Sequence, residues 1–227
     1  MTQRSLPFLI LLILLSSATS FADVKQEKAL CRVCEIHDGE TEKEDIVASL
    51  EYEGLFYGFC SDGCRDKFLD FPEAYAKPVF PRPAPSFQAV DFEGKEVSSE
   101  EFKGRIVLLD FWATWCPPCV QDLPELSRLH KKYEEQGVTV LGLSIDEADG
   151  AARKVSRMLQ RKKASHPVLL DTSDSPAWAA YHVRAVPAQF LIDGDGQIVR
   201  QWLGTTDLEE VEEAIRELLA KSEEPAS

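Results

Sequence analysis

Two cysteines separated by two residues, Cys116 and Cys119, are the residues of this sequence best suited to chemistry. Thiol–disulfide exchange needs a thiolate that attacks and a second thiol close enough to resolve the mixed disulfide. A helix predicted to start at Cys116 would lower the pKa of that thiol through its dipole and its free backbone N–H groups. Pro117 is tolerated in the first turn of such a helix. We therefore predict that Cys116 is the nucleophile and that Cys119 is the resolving thiol.

A cysteine pair with this spacing can also form a structural disulfide or supply half of a metal site. No cysteine follows Cys119, and His130, His166 and His182 are scattered along the chain. The redox interpretation is therefore favoured, and it requires no cofactor in this part of the chain.

The other four cysteines form two pairs, Cys31 with Cys34 and Cys60 with Cys64. Two such pairs can supply four thiolates to one tetrahedral metal ion, and zinc or copper suits these ligands. A segment as short as residues 23–77 buries little core, so a metal or disulfide staple is expected. Two disulfides, or a mixture that switches between disulfides and metal, stay open as alternatives.

The redox pair must be positioned by the elements after residue 86, where strand-like and helix-like segments alternate. An Asp-Gly turn over residues 193–196 predicts a hairpin. This order predicts one α/β domain over residues 86–227, with a mixed central sheet flanked by helices. The predicted strands are Ile106–Trp112, Val138–Ile145, Pro167–Leu170, Ala188–Ile192 and Gln197–Trp202, and the predicted helices begin at Cys116, Ala151 and Asp207.

The first 22 residues are typical of a secretory signal peptide, with Arg4, the apolar run Phe8–Leu15 and a small-x-small cleavage site ending at Ala22. The alternative, an uncleaved anchor, is disfavoured because the run is shorter than the ~20 residues that cross a bilayer. We expect a secreted or periplasmic mature protein without a stable membrane span, in an oxidising compartment.

Four prolines within residues 78–85 resist helix and sheet and predict an extended linker between the cysteine domain, 23–77, and the domain that follows. The formal net charge of −14 argues against a nucleic-acid partner.

The segment Phe111–Cys119 resembles the active-site motif of thioredoxin-like proteins, in particular the TlpA-like family. Residues 94–104 resemble the N-terminal hairpin of that family, and Val186–Asp193, followed by Gly196, resembles a third motif. Residues from about 146 to 171 fit the extra segment that the family carries inside the thioredoxin core. The resemblance covers about residues 85–222 and implies a thioredoxin fold with a TlpA-like insertion.

The resemblance also implies roles for individual residues. Pro187 matches the cis-proline that faces the redox pair and holds substrate backbone, and Trp115, Pro117 and Val186 are candidate substrate-binding residues beside it. Asp110 matches the buried carboxylate that exchanges a proton with the resolving thiol, although TlpA-like proteins often have an amide there. An inward-facing Asp110 would have a raised pKa, whereas an outward-facing one would be a surface acid.

Peroxiredoxins share this scaffold but need Pro-x-x-x-Thr-x-x-Cys around the reactive cysteine. The corresponding positions here are Leu109 and Ala113, so the sequence argues against a peroxidase.

The segment Glu51–Ser61, followed by Cys64, Phe68, Pro72 and Tyr75, resembles a YHS domain or a related TRASH-like domain. Both are small treble-clef-like units associated with metal handling. The resemblance implies that Cys34, Cys60 and Cys64 are ligands, with Cys31 completing a four-ligand version. His37 is a possible substitute ligand.

Together the two resemblances imply a thiol–disulfide oxidoreductase that acts on protein thiols and disulfides. In the TlpA-like family such proteins mostly reduce specific extracytoplasmic targets, such as apocytochrome c or copper-site cysteines, and are fed by a membrane electron donor. The alternative is a metal-binding chaperone in which the cysteine pairs mainly ligate metal.

Overall fold

The computed structural model describes residues 28–52, 55–147, 150–171, 174 and 176–222, so the predicted signal peptide lies outside the described residues. The N-terminal part is a small unit in which a short helix, a β-hairpin and two further helices surround Phe59 and Phe68, both fully buried. Its elements are β1 (Lys28–Ala29), α1 (Arg32–Asp38), β2 (Glu44–Asp45), β3 (Ala48–Tyr52), β4 (Leu55–Phe59), α2 (Asp62–Asp70) and α3 (Pro72–Tyr75).

The rest of the chain is built on one eight-stranded mixed sheet in the order β5-β12-β11-β8-β9-β10-β6-β7. Strands β8, β9 and β10 are parallel, and all other neighbours are antiparallel. The strands are β5 (Arg82–Pro83), β6 (Gln88–Val90), β7 (Glu96–Ser98), β8 (Ile106–Trp112), β9 (Val138–Ser144), β10 (Val168–Leu170), β11 (Ala188–Ile192) and β12 (Gln197–Leu203), and the helices are α4 (Pro117–Tyr133), α5 (Ala151–Lys162), α6 (Ala177–Ala180) and α7 (Leu208–Ser222).

The central strands β8 and β9 are buried along their whole length, which explains why both appear in the sequence as continuous apolar runs. On one face of the sheet, Leu126 and Leu129 of α4 and Ile215 of α7 pack on alternate residues of these strands. On the opposite face, Phe111 packs against Tyr181 and Phe190. The predicted mixed sheet flanked by helices is therefore confirmed, together with its five predicted strands and three predicted helices.

The structure of the proline-rich segment, residues 78–85, differs from the prediction that this segment would not form part of a sheet. Arg82–Pro83 forms β5, an edge strand antiparallel to β12, with Pro83 opposite Gln197 and Arg82 opposite Ile198. Proline is compatible with an edge strand because its missing N–H need not face another strand. The segment is thus partly sheet and not a simple spacer.

The N-terminal unit packs directly on the domain that follows it. The guanidinium of Arg184 lies 3.7 Å from the centre of the Phe71 ring, and Ala185 and Leu203 pack against the buried core of the N-terminal unit. Gly204 has a φ of 84°, and a Cβ there would lie 3.5 Å from the carbonyl oxygen of Ile36. Glycine therefore suits this position because of its positive φ, while a Cβ there would make only ordinary van der Waals contact with α1.

Within the described residues, no helix combines the length and the apolar character needed to cross a membrane.

Candidate active site and cysteine cluster

Cys116 and Cys119 form a disulfide at the point where β8 gives way to α4. Cys116 is the N-cap residue of α4, and its Sγ accepts a hydrogen bond of 3.3 Å from the backbone N–H of Cys119. Pro117 and Pro118 occupy the first turn, where a missing N–H costs no intrahelical bond. The sulfur predicted to be the nucleophile thus lies at the positive end of a 17-residue helix.

A loop before β11 faces this disulfide. Its Val186–Pro187 peptide bond is cis, and the carbonyl oxygen of Val186 lies 3.6 Å from Cys116 Sγ. Trp115, which directly precedes Cys116, is 60% exposed. Trp115 and Val186 line one groove with Trp178 and Arg184, so the structure brings two of the predicted substrate-binding residues to one surface.

Asp110 lies in the middle of β8, is only 1% exposed, and accepts a 3.2 Å hydrogen bond from Gln189 Nε2 on β11. Its pKa is raised from 3.8 to about 7, mainly by burial and to a smaller extent by the negative charge of Asp122, while the bond from Gln189 opposes the rise. Asp122 follows Cys119 by three residues, so both lie on one face of α4, and the charge of Asp122 reaches Asp110. The inward-facing orientation expected for Asp110 is the one observed.

Asp146 is a buried carboxylate that the sequence did not single out as a site residue. It accepts hydrogen bonds from the backbone N–H of Thr114 at 2.7 Å, from Thr114 Oγ1 at 2.5 Å and from Ser144 Oγ at 3.0 Å. It also forms an ion pair with Lys154 on α5 at 2.9 Å. Burial alone would raise the pKa of Asp146, but the bonds from Thr114 and Lys154 hold it below its usual value. These contacts fix the turn that precedes Cys116.

His166 is a second buried group with an unusual environment. Its Nδ1 lies 2.7 Å from Ser127 Oγ, while its Nε2 has no hydrogen-bond partner among the described residues. Burial lowers the pKa of His166 from 6.5 to about 4. A Cβ at Gly142 would lie 3.3 Å from this Nε2 and 3.1 Å from Trp112 Nε1, so the glycine makes room for both rings. His166 is therefore a neutral core histidine.

The four N-terminal cysteines converge on one point, with their sulfurs all within 4.8 Å of one another and none of them in a disulfide. Cys34 Sγ lies 3.4 Å from Cys60 Sγ and 3.7 Å from Cys64 Sγ, and the last two are 3.7 Å apart. Four sulfurs at about 2.3 Å from a zinc ion would be about 3.8 Å apart at the corners of a tetrahedron. The arrangement could therefore hold a metal of this kind.

Local structure explains this convergence. Cys31 caps α1 and Cys34 lies in its first turn, while Cys60 ends the hairpin just before α2. The side chain of Ser61 caps α2 by accepting from the N–H of Cys64. His37 is not part of the cluster. Its Nε2 lies 2.7 Å from the hydroxyl of Tyr75, so its possible role as a substitute ligand is not supported.

A mixed sheet with a disulfide at a helix start and a cis-proline opposite defines a thioredoxin-fold thiol–disulfide oxidoreductase. Residues 81–201 match the AhpC/TSA family, and the chain belongs to this family. Residues 40–79 match the YHS domain, which confirms the predicted resemblance. Cys31 and Cys34 precede the matched range, and only the fold shows that they join Cys60 and Cys64.

The chain is similar to the thiol-disulfide oxidoreductase ResA of Bacillus thuringiensis subsp. konkukian, with 36% identity over 60% of this chain and 76% of the relative. ResA of Geobacillus thermodenitrificans is 31% identical over 60% of this chain and 75% of its own length. A putative thiol:disulfide interchange protein DsbE from Chlorobium tepidum superposes with a TM-score of 0.54 and 27% identity, covering 64% of this chain and 99% of that structure. The predicted enzyme class and fold are confirmed.

Proposed function

We propose that this oxidoreductase reduces specific extracytoplasmic protein disulfides, of the kind formed in apocytochrome c or in copper-site proteins during maturation. The observation that supports the proposal most directly is the Cys116–Cys119 disulfide at a helix start, which follows a strand that carries the buried carboxylate of Asp110. We further propose that residues 1–22 direct export and that 23–77 and 86–227 are the two functional units.

In the first step, the Cys116 thiolate of the reduced enzyme attacks one sulfur of the target disulfide. A Cys116–target disulfide forms, the target S–S bond breaks, and the released target sulfur takes a proton. The positive end of α4 stabilises the Cys116 thiolate before the attack. The Val186–Pro187 loop, whose carbonyl lies beside Cys116 Sγ, would hold the target backbone, with Trp115 and Pro117 beside it.

In the second step, Cys119 attacks Cys116 Sγ. The Cys116–Cys119 disulfide forms, and the target leaves as a dithiol that has gained two electrons and two protons in total. Asp110 accepts the Cys119 proton, which a carboxylate with a pKa of about 7 can do near neutral pH. The enzyme is then oxidised, and we propose that a membrane electron donor outside the cytoplasm returns it to the dithiol form.

The redox proposal is tested by Cys116→Ser, with insulin as the model protein disulfide. We expect complete loss of reduction, because the serine hydroxyl cannot form the mixed disulfide, and unchanged metal content. Cys119→Ser, the matched variant, should instead accumulate a mixed disulfide with insulin, since only the resolving step is missing. If Cys116→Ser retained activity, the assignment of the nucleophile would be wrong.

The direction of electron flow is tested by equilibrating the protein in glutathione buffers and following tryptophan fluorescence, with Trp112 and Trp115 beside the pair. A reduction potential below about −220 mV would support a reductase, whereas a value above roughly −150 mV would indicate a donor of disulfides.

A second function is favoured by the cysteine cluster. We propose that Cys31, Cys34, Cys60 and Cys64 hold zinc or copper, which would stabilise the small N-terminal unit. The alternative is a metal chaperone in which the redox pair also serves as a ligand. Metal analysis separates the two: Cys60→Ser should lose metal and keep insulin reduction, while loss of metal from Cys116→Ser would favour the chaperone.

A further inference from the structure

Helix α5 and the residue after it have a charge opposite to that of the rest of the chain. Residues 151–163 contain six arginines and lysines and no acidic residue, in a chain with 39 acidic and 25 basic residues. Arg153, Lys154, Arg157 and Arg161 are exposed and lie along one face, at intervals of one, three and four residues. We call these four side chains the basic face.

Most of the basic face is not neutralised by the protein. Among the described residues, Lys154 has a carboxylate partner in Asp146, whereas no ion pair holds Arg153, Arg157 or Arg161. Some other cations of the described surface do lie within 4.0 Å of a carboxylate, for example Arg128 and Lys132, which both contact Glu212. Cations on a strongly acidic protein that lack such partners remain available to an external anion.

The basic face lies at the margin of the redox site. The inner side of α5 contributes Val155, fully buried, to the same apolar cluster as Cys116 and Cys119. Lys154, on the outer side, is linked through Asp146 to Thr114, two residues before Cys116. Helix α5 therefore packs beside the turn that leads into Cys116, next to the place where a partner must present its disulfide.

We propose that the basic face binds an acidic segment of the protein substrate whose disulfide is reduced, and this inference rests on the proposed reductase function. Complementary charge raises the rate of encounter and selects partners more than it raises affinity. An anionic membrane surface is the less favoured binding partner of the basic face. A helix that lies on a membrane buries an apolar face there, but the apolar side of α5 is occupied by the protein core, and none of the exposed large apolar residues lies on this helix.

The test uses the reduced full-length protein and three synthetic disulfide peptides that differ only in their flanking residues, which are glutamate, serine or lysine. We expect kcat/KM for the glutamate peptide to exceed that for the serine peptide by about tenfold at low salt, and this preference to vanish near 0.5 M salt. The lysine peptide should be the slowest of the three. Arg153→Gln/Arg157→Gln/Arg161→Gln should remove the preference for glutamate while the serine peptide is reduced at the wild-type rate.

A matched variant, Lys95→Gln/Lys131→Gln/Arg216→Gln, removes the same charge from exposed positions away from α5. It should keep the preference, and an equal loss in this variant would overturn the proposal, because net charge alone would then explain the effect. Binding of the wild type to phosphatidylglycerol vesicles without discrimination among the peptides would also overturn it and favour the membrane. Failure to reduce even the serine peptide would instead overturn the reductase function on which the inference rests.

Discussion

Asp110 is the most deeply buried of the residues proposed to take part in the chemistry, and its protonation state affects the stability of the fold. Its pKa is about 7 in the folded protein and 3.8 when exposed. A raised pKa contributes stability that is fully present below pH 3.8 and is lost as the pH rises through 7. Loss of the proton that we propose serves exchange therefore destabilises the oxidised protein in neutral and alkaline solution.

Asp110→Asn should show this directly, because asparagine keeps the shape and the Gln189 contact but cannot ionise. We expect its gain in free energy of unfolding over the wild type to grow from near zero at pH 4 to about 4 kcal/mol above pH 7, at roughly 1.4 kcal/mol per pKa unit. Denaturant unfolding of the two oxidised proteins at several pH values measures it. The variant should also release insulin from the mixed disulfide about 100-fold more slowly. A constant stability difference across this pH range would contradict the assignment.

His166 should produce the opposite pH dependence. Its pKa is about 4 in the fold and 6.5 when exposed, so its stability contribution is present above pH 6.5 and lost as the pH falls through 4. His166→Asn should therefore lose less stability than the wild type on acidification, by about 3 kcal/mol between pH 6.5 and pH 4. Denaturant unfolding of both proteins at pH 6.5 and pH 4 measures the change in unfolding free energy between the two pH values. A packing defect in the variant lowers its stability equally at both pH values and does not affect this change. Parallel profiles would show that the histidine is not held neutral.

At the scale of elements, the redox pair depends on a junction of three segments. Asp146 follows β9 and is bonded to the turn after β8 and to Lys154 on α5. Hydrogen bonds to a buried charged group contribute more than neutral ones. The position of Cys116 at the helix start is therefore fixed by the residues that follow the neighbouring strand β9 and not only by the sequence around Cys116.

Asp146→Ala should lower the free energy of unfolding by about 2–3 kcal/mol, because Thr114 and Ser144 lose the acceptor of their bonds. It should also slow the first step of insulin reduction, since the turn before Cys116 is no longer held. Lys154→Gln is the matched control: its side chain is exposed, so we expect a loss below about 1 kcal/mol. Equal effects from the two substitutions would show that the ion pair, and not the bonds to Thr114, is what matters.

The features that could be predicted from the sequence are those that depend on residues close together along the chain. The redox pair and the start of α4 could be predicted, because both depend on residues within one short segment, whereas Asp110 is indicated by the family resemblance. Asp146 could not, because its partners are 32 and 8 residues away and its role needs the packing of β9 against β8. The cysteine cluster could be proposed from spacing, but its convergence depends on how α1 packs on α2.

At the scale of the whole molecule, the two units share an interface beside the redox site. Arg184, whose guanidinium covers Phe71, is two residues before Val186, which contacts Cys116. No sequence pattern links Phe71 with Arg184, since their contact joins two domains. The loop that faces the disulfide is thus supported on one side by the unit that carries the cysteine cluster.

A double-mutant cycle on Phe71→Leu and Arg184→Gln measures this support. We expect a coupling energy of about 0.5–2 kcal/mol in the unfolding free energy, the range of a cation–π contact. We also expect Arg184→Gln alone to shift the reduction potential of Cys116–Cys119, because the loop beside the sulfur loses its contact. If the two losses in stability add within a few tenths of a kcal/mol, the units are energetically independent.

Strand β5 has a consequence for any shortened form of the protein. It covers the first two residues of the edge of β12, Gln197 and Ile198, and it is formed by the segment that leads out of the N-terminal unit. A chain that began at residue 86 would leave this part of β12 at an open sheet edge as well. Such edges recruit strands from other molecules, so the excised domain should self-associate and precipitate where the full chain stays dispersed. The prolines before residue 86 therefore keep copies of the protein apart as well as connecting its two units.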